Sequence, residues 1–187
     1  MTVGDGDQVL RQSILNAAIA EFLARGIDAF TVERVAVRAG VDQSVVNELW
    51  HDRRVLLMDA QLTIARQLVA IPDTGSLRGD LQAVAAVLTD QVATPEGRIW
   101  FQWLLPASRE TDLSEVRTDF WQARLDDFVP VFDRAAERGE LHADIQPTEA
   151  IRMFAGAYLY DVIFTNNPIR PEYAAHTLNA FIRGISS

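Results

Sequence analysis

Five side chains, Gln43, Ser44, Asn47, Glu48 and His51, are all hydrogen-bonding types spaced so that one helix face gathers them. Such a row can address the edges of nucleic-acid bases. Asn and Gln pair bidentately with adenine, and Glu accepts from the cytosine amino group. The Glu48 carboxylate also repels phosphates on approach. The same row fits a solvated helix face, which a polar stripe without other context usually is. Catalysis finds less support. No Ser, Asp or His stands at a recognisable spacing from a partner, and "PTE", Pro147 to Glu149, reads as a helix start. We expect no enzyme activity.

The elements that must position this row are short and sharply punctuated. Val45, Val46, Leu49 and Trp50 form the apolar side of the same helix. Asp42 can cap its start, where a carboxylate is favoured by the helix dipole. Thr31 can cap a preceding short helix that turns Val32, Val35 and Ala36 inward and stops at Gly40. Asp52 can cap a fourth helix through Leu56, Leu57, Ala60, Ile64 and Leu68. Upstream, Leu10, Ile14, Ala17, Ala18 and Phe22 recur at helical spacing over 8–25, and Gly26 ends the run.

Composition bounds the chemistry further. The 187 residues are 49% hydrophobic, enough for a sizeable core, and contain no cysteine, so disulfides and thiolate metal sites are excluded. His51, His142 and His176 lie far apart, and neither a metal nor a cofactor is expected. All 17 basic residues are arginine, and the net charge is −9. Residues 1–60 hold six Arg against nine acidic residues, so a DNA role must rest on where a few arginines sit. Neither a secretory leader nor an apolar run of membrane-spanning length is evident, and a cytoplasmic protein without membrane contact is expected.

Beyond the first helices, "AIPDTGS", Ala70 to Ser76, is the clearest break. Helices are expected near 77–93, 96–107, 112–138, 148–166 and 171–185, with Pro147 and Pro171 at helix starts and Gly139 in a left-handed stop. No alternating strand pattern appears. The fold class is all-α.

The segment "ILNAAIAEFLARGIDAFTVERVAVRAGVDQSVVNELWHDRRVLL", Ile14 to Leu57, resembles the DNA-binding domain of the TetR family of transcriptional repressors. The likeness rests on the "AA…F…RG" end of the first helix, "TVERVAVRAGV", the aromatic closing the next helix, and "LL" beyond it. It implies a helix-turn-helix domain over 1–53, with helices at about 8–25, 31–39 and 42–50, and a helical ligand-binding and dimerisation domain over 54–187. It also implies DNA-facing roles for Thr31, Gln43, Ser44, Asn47, Glu48, His51 and Arg53. Thr31 matches a capping threonine that touches phosphate, and Arg53 stands where a lysine contacts phosphate. Asn47 replaces a phosphate-binding tyrosine, Leu49 a second aromatic, Glu48 a basic or neutral residue, and His51 a common proline. These departures imply lower affinity or an unusual operator.

The larger domain resembles the family only in general plan. Its aromatic density suggests either a core or an apolar pocket, with Trp100, Trp103, Leu104, Phe120, Trp121, Phe128, Tyr158 and Asp161 as candidate lining residues. An apolar or aromatic effector of medium size would suit it. The resemblance implies a homodimer through helices 148–166 and 171–185, reading a palindromic double-stranded operator. The function expected is a ligand-responsive repressor. The alternative is a regulator-like protein with weakened DNA binding that acts through a protein partner or a small molecule.

Overall fold

The computed structural model describes residues 3–94, 97, 111–160 and 169–186. Its elements are α1 (Val3–Arg25), α2 (Val32–Ala39), α3 (Gln43–Leu49), α4 (Arg53–Leu68), α5 (Leu77–Ala93), α6 (Thr111–Glu137), α7 (Pro147–Tyr160) and α8 (Pro171–Ile185). Among the described residues the only strand-like pairing is an isolated bridge between Leu141 and Ser186, so the fold is all-α. Apart from residue 97, the helix expected at 96–107 lies outside the described residues, as do residues 161–166 of the next-to-last one. Two compact units divide the chain: Met1–Ile64 with Pro106–Phe120, and Ala65–Leu105 with Trp121–Ser187.

In the first unit, helix ends follow their capping residues. Gly26 takes a φ of 76° to leave α1, and its N–H donates to Phe22 O at 2.8 Å. Ile14, Ala18, Phe22 and Phe30 close the core there without measurable exposure. Thr31 Oγ1 accepts from the Arg34 amide at 3.3 Å at the start of α2. Gly40, at φ 70°, returns its N–H to Ala36 O and Val37 O, a left-handed stop that residues with a Cβ adopt only under strain. α1 begins at Val3 rather than at residue 8. Gly4 and Gly6 weaken a helix by about 1 kcal/mol each relative to alanine without forbidding it.

The second unit is stitched by arginines reaching back to the segment after α4. Arg124 donates to Val69 O, and its neighbour Asp127 accepts two hydrogen bonds from Arg66, at 2.8 and 2.9 Å. Arg134 Nη2 donates to Pro72 O at 2.6 Å and lies 3.4 Å from fully buried Asp80, which also takes both donors of Thr74. The 69–76 segment thereby exchanges exposed backbone for specific partners. Pro147 and Pro171 do open α7 and α8, and Gly139 stops α6 at φ 72°.

The apolar residues of α7 and α8 pack within the chain. Phe154 meets Tyr158 and Phe181 at ring-centroid separations of 4.8 and 5.5 Å, and the Tyr158 hydroxyl donates to Ala174 O at 2.7 Å. Ile151, Phe154, Tyr158, Ala174, Leu178 and Ile182 are buried. These six side chains are covered within the chain itself. On α7 the exposed apolar surface is instead Met153 and Tyr160, 60% and 56% exposed.

Candidate nucleic-acid interface

The α3 sequence sorts itself by burial. Val46 and Trp50 are buried and Val45 and Leu49 half-buried, while Gln43, Ser44, Asn47, Glu48 and His51 are all exposed. Burying one stripe fixes the rotation of the helix, and the hydrogen-bonding row is what remains outside.

Asp42 and Ser44 set the start of this face. Asp42 Oδ1 accepts from the Ser44 amide at 2.8 Å and from its hydroxyl at 2.7 Å. The hydroxyl bond first, and the amide bond with it, hold the Asp42 carboxyl below its usual range, so it stays ionised near neutrality. Ser44 has one hydroxyl hydrogen, and Asp42 takes it. Outward, Ser44 therefore offers lone pairs and acts as an acceptor. Glu48 is likewise acceptor-only and makes no hydrogen bond or ion pair among the described residues. Gln43 and Asn47 supply both donors and acceptors. His51 Nδ1 lies 3.1 Å from Asn47 O, which favours the Nδ1–H tautomer and leaves Nε2 as an acceptor when the ring is neutral. The face is thus biased toward accepting, which suits the exocyclic amines of cytosine and adenine.

The other end of α3 is fastened by a tryptophan. Trp50, 1% exposed, donates Nε1–H to Asp59 Oδ2 at 2.8 Å. The same oxygen takes Arg11 Nη2 at 2.7 Å, and the Arg11 guanidinium lies 4.4 Å from the centroid of the Trp50 ring. Helices α1, α3 and α4 therefore meet at one carboxylate. Nothing in the local pattern marked Arg11 or Asp59, because partners 48 residues apart leave no periodic signal.

The head's arginines are each engaged. Arg53 Nη2 donates to Ile27 O at 3.1 Å, although its sequence position suggested a phosphate contact. Arg54 folds onto Asp52, the cap of α4, and lies 3.8 Å from Glu115. Arg25, Arg34 and Arg38 surround Glu21. Thr31, besides capping α2, is exposed.

The candidate ligand residues are dispersed. Trp100, Trp103, Leu104 and Asp161 lie outside the described residues. Phe120 is buried in the first unit. Trp121, Phe128 and Tyr158 belong to the second, where Phe128 is buried with Arg124 4.6 Å from its ring centroid. Tyr158 is fully buried, and burial pushes its hydroxyl up to about 12, so it remains a neutral donor to Ala174. A separate open groove of about 360 Å³ runs between α5 and α8, floored by Ala85, Ala86, Ala174 and Leu178, with Gln82 and Asn179 among its polar lining. Of the sequence-chosen residues that the structure describes, Phe120, Trp121, Phe128 and Tyr158, none is among its lining. Among the described residues, no acidic, histidine or cysteine cluster has metal-binding geometry, and no helix is long and apolar enough to cross a membrane.

A capped three-helix head whose third helix presents a polar outer face defines a helix-turn-helix module followed by a helical domain. Residues 14–58 match the model described as bacterial regulatory proteins, tetR family, and residues 71–181 match the tetracyclin repressor-like C-terminal domain. The chain belongs to the TetR family of transcriptional regulators. It is 27% identical over 177 residues to the uncharacterized HTH-type transcriptional regulator YdeS of Bacillus subtilis (strain 168), covering 94% of this chain and 89% of YdeS. Against the HTH-type transcriptional regulator AqdR of Rhodococcus erythropolis, identity is 33% over 131 residues, 70% of this chain and 63% of AqdR. The crystal structure of the TetR family transcription regulator SCO0332 superposes with a TM-score of 0.76 at 25% identity, covering 94% of this chain and 97% of that one. This protein is accordingly a DNA-binding transcriptional regulator, from a family whose members usually dimerise.

Proposed function

We propose that the chain is a ligand-responsive repressor that binds a palindromic operator as a homodimer. The proposed head, residues 1–53, uses Gln43, Ser44, Asn47, Glu48 and His51 against base edges, with Thr31 and Arg53 at phosphates. Arg53 exchanges its bond to Ile27 O for a phosphate, an exchange a charge-assisted hydrogen bond favours. Glu48 accepts from a cytosine amine. The observation that carries this reading is the complete segregation of α3, every polar side chain outside and the apolar stripe inside. Residues 54–187 form the proposed effector and dimerisation domain, joining its partner through surfaces of α7 and α8 outside the packed core. An apolar or aromatic effector acts only by preferring one spacing of the two heads. Its candidate lining is confined to the second unit, at Trp100, Trp103, Leu104, Trp121, Phe128, Tyr158 and Asp161.

Selection from random duplexes tests the reading. Enrichment of a two-fold symmetric site, bound by two chains, supports it; a folded protein that enriches no site rejects it. The internal engagement of Arg53 and Arg54 favours a second reading, in which DNA binding is weakened and the chain acts through a protein partner or a bound small molecule. Under that reading, affinity for any duplex is low and barely responds to salt.

A further inference from the structure

Glu21 is a carboxylate in the wall of the head, only 3% exposed, and three arginines converge on it. Arg38 donates to Oε2 through Nε at 3.1 Å and Nη2 at 2.9 Å. Arg25 Nε lies 2.8 Å from Oε1, without the alignment of a hydrogen bond, and Arg34 Nη1 is 3.9 Å away. Half of the six arginines in residues 1–60 are gathered here, in a region whose net charge is negative. With Glu33 they line an open recess of about 540 Å³, and each arginine side chain keeps 41–53% of its surface exposed.

We propose that Glu21 is a positioning residue that builds a phosphate-binding station for the operator backbone from Arg25, Arg34 and Arg38. The proposal rests on the DNA-binding reading above and adds a contact that the reading face lacks. A guanidinium carries five N–H donors, and these pairings use at most two on Arg38 and fewer on the others. The remaining donors are available to the two unesterified oxygens of a phosphodiester, for which arginine's fork is well shaped. Three arginines against Glu21 and Glu33 leave one net positive charge at this spot. Arg34 lies in the first turn of α2, its amide capped by Thr31, and Arg38 lies in the last turn, just before Gly40. The station therefore extends along the outer side of α2 from the proposed Thr31 phosphate contact to the turn that leads into α3. Glu21 also removes side-chain freedom from three long residues before DNA arrives, which reduces the ordering cost of the contact.

The test compares the full-length wild type with Arg34→Gln, Arg38→Gln and Glu21→Gln on one duplex across salt concentrations. Each arginine variant is expected to lower the slope of log affinity against log salt by about 0.9, at all sequences alike. Glu21→Gln separates positioning from bulk charge, because removing a negative charge alone would tighten binding and positioning predicts weaker binding with a shallower slope. Circular dichroism establishes that each variant is folded; if Glu21→Gln does not fold, the two exposed-arginine variants decide. Unchanged slopes in both arginine variants, or tighter binding by folded Glu21→Gln, overturn the station while leaving the DNA reading intact. Wild-type binding that does not respond to salt overturns both.

Discussion

The Trp50 indole N–H donates to Asp59 Oδ2 at 2.8 Å, joining the end of α3 to α4. Arg11 closes the arrangement from α1, through the same carboxylate oxygen and the face of the indole. The far end of the polar face of α3 is therefore held by an interaction none of that face's own residues makes.

Asp59→Ala leaves the buried indole donor without its partner. The expected loss is about 1–3 kcal/mol of stability, measured by urea denaturation. In a Trp50→Phe background, which lacks the donor, the same change should cost distinctly less. Equal costs in both backgrounds would show that the hydrogen bond does not fasten the helix.

Gly40 isolates a backbone effect. A Cβ placed there meets nothing within 4 Å, yet the φ of 70° is one that side chains rarely adopt. Gly40→Ala should cost about 1–2 kcal/mol through the left-handed conformation alone. Gly40→Asn should cost less, since asparagine tolerates that region. A melting series over the three proteins checks the order.

The Asp127 carboxyl gives a pH signature in the second unit. Burial alone would raise it, but hydrogen bonds from Arg66 and Arg124, reinforced by their charges, hold it below its usual value. A depressed carboxyl contributes stability that is fully present above the unfolded value of about 3.9 and lost as pH falls through the lower folded value. Asp127→Asn should therefore destabilise the protein at pH 7, with the gap to wild type closing as the pH falls below 4. A gap independent of pH would show that packing, not charge, is what Asp127 supplies.

The proposed contact of Glu48 with a cytosine amine predicts a base preference. Compared with wild type on operators varied one base pair at a time, Glu48→Gln should lose discrimination at one cytosine while binding other variants as well or better, since a phosphate repulsion is removed. Equal changes at every position would show that Glu48 contributes charge and no readout.

The local chemistry of the head was legible in its residues. Thr31, Gly40, Asp42 and Asp52 act where their types demand, and the α3 stripe settles which side faces out. Pairings across long separations were not legible. Glu21 to Arg38, Trp50 to Asp59 and Arg66 to Asp127 depend on how helices pack, and packing leaves no period in the chain. The same reason explains α7 and α8. Their apolar spacing shows that a face is buried but not whether the chain itself or a second copy buries it, and Phe154 against Phe181 supplies the former.

If the outer face of α3 reads sequence, its loss must cost specificity and spare general affinity. The most direct test is equilibrium binding of wild type and Gln43→Ala/Asn47→Ala to a selected operator and to a scrambled duplex of the same length. Both substitutions are on exposed side chains, so stability should change little. Operator affinity should fall at least about tenfold while affinity for the scrambled duplex is nearly unchanged, because base contacts carry specificity and phosphate contacts do not. Equal operator affinity for wild type and the double variant would contradict it.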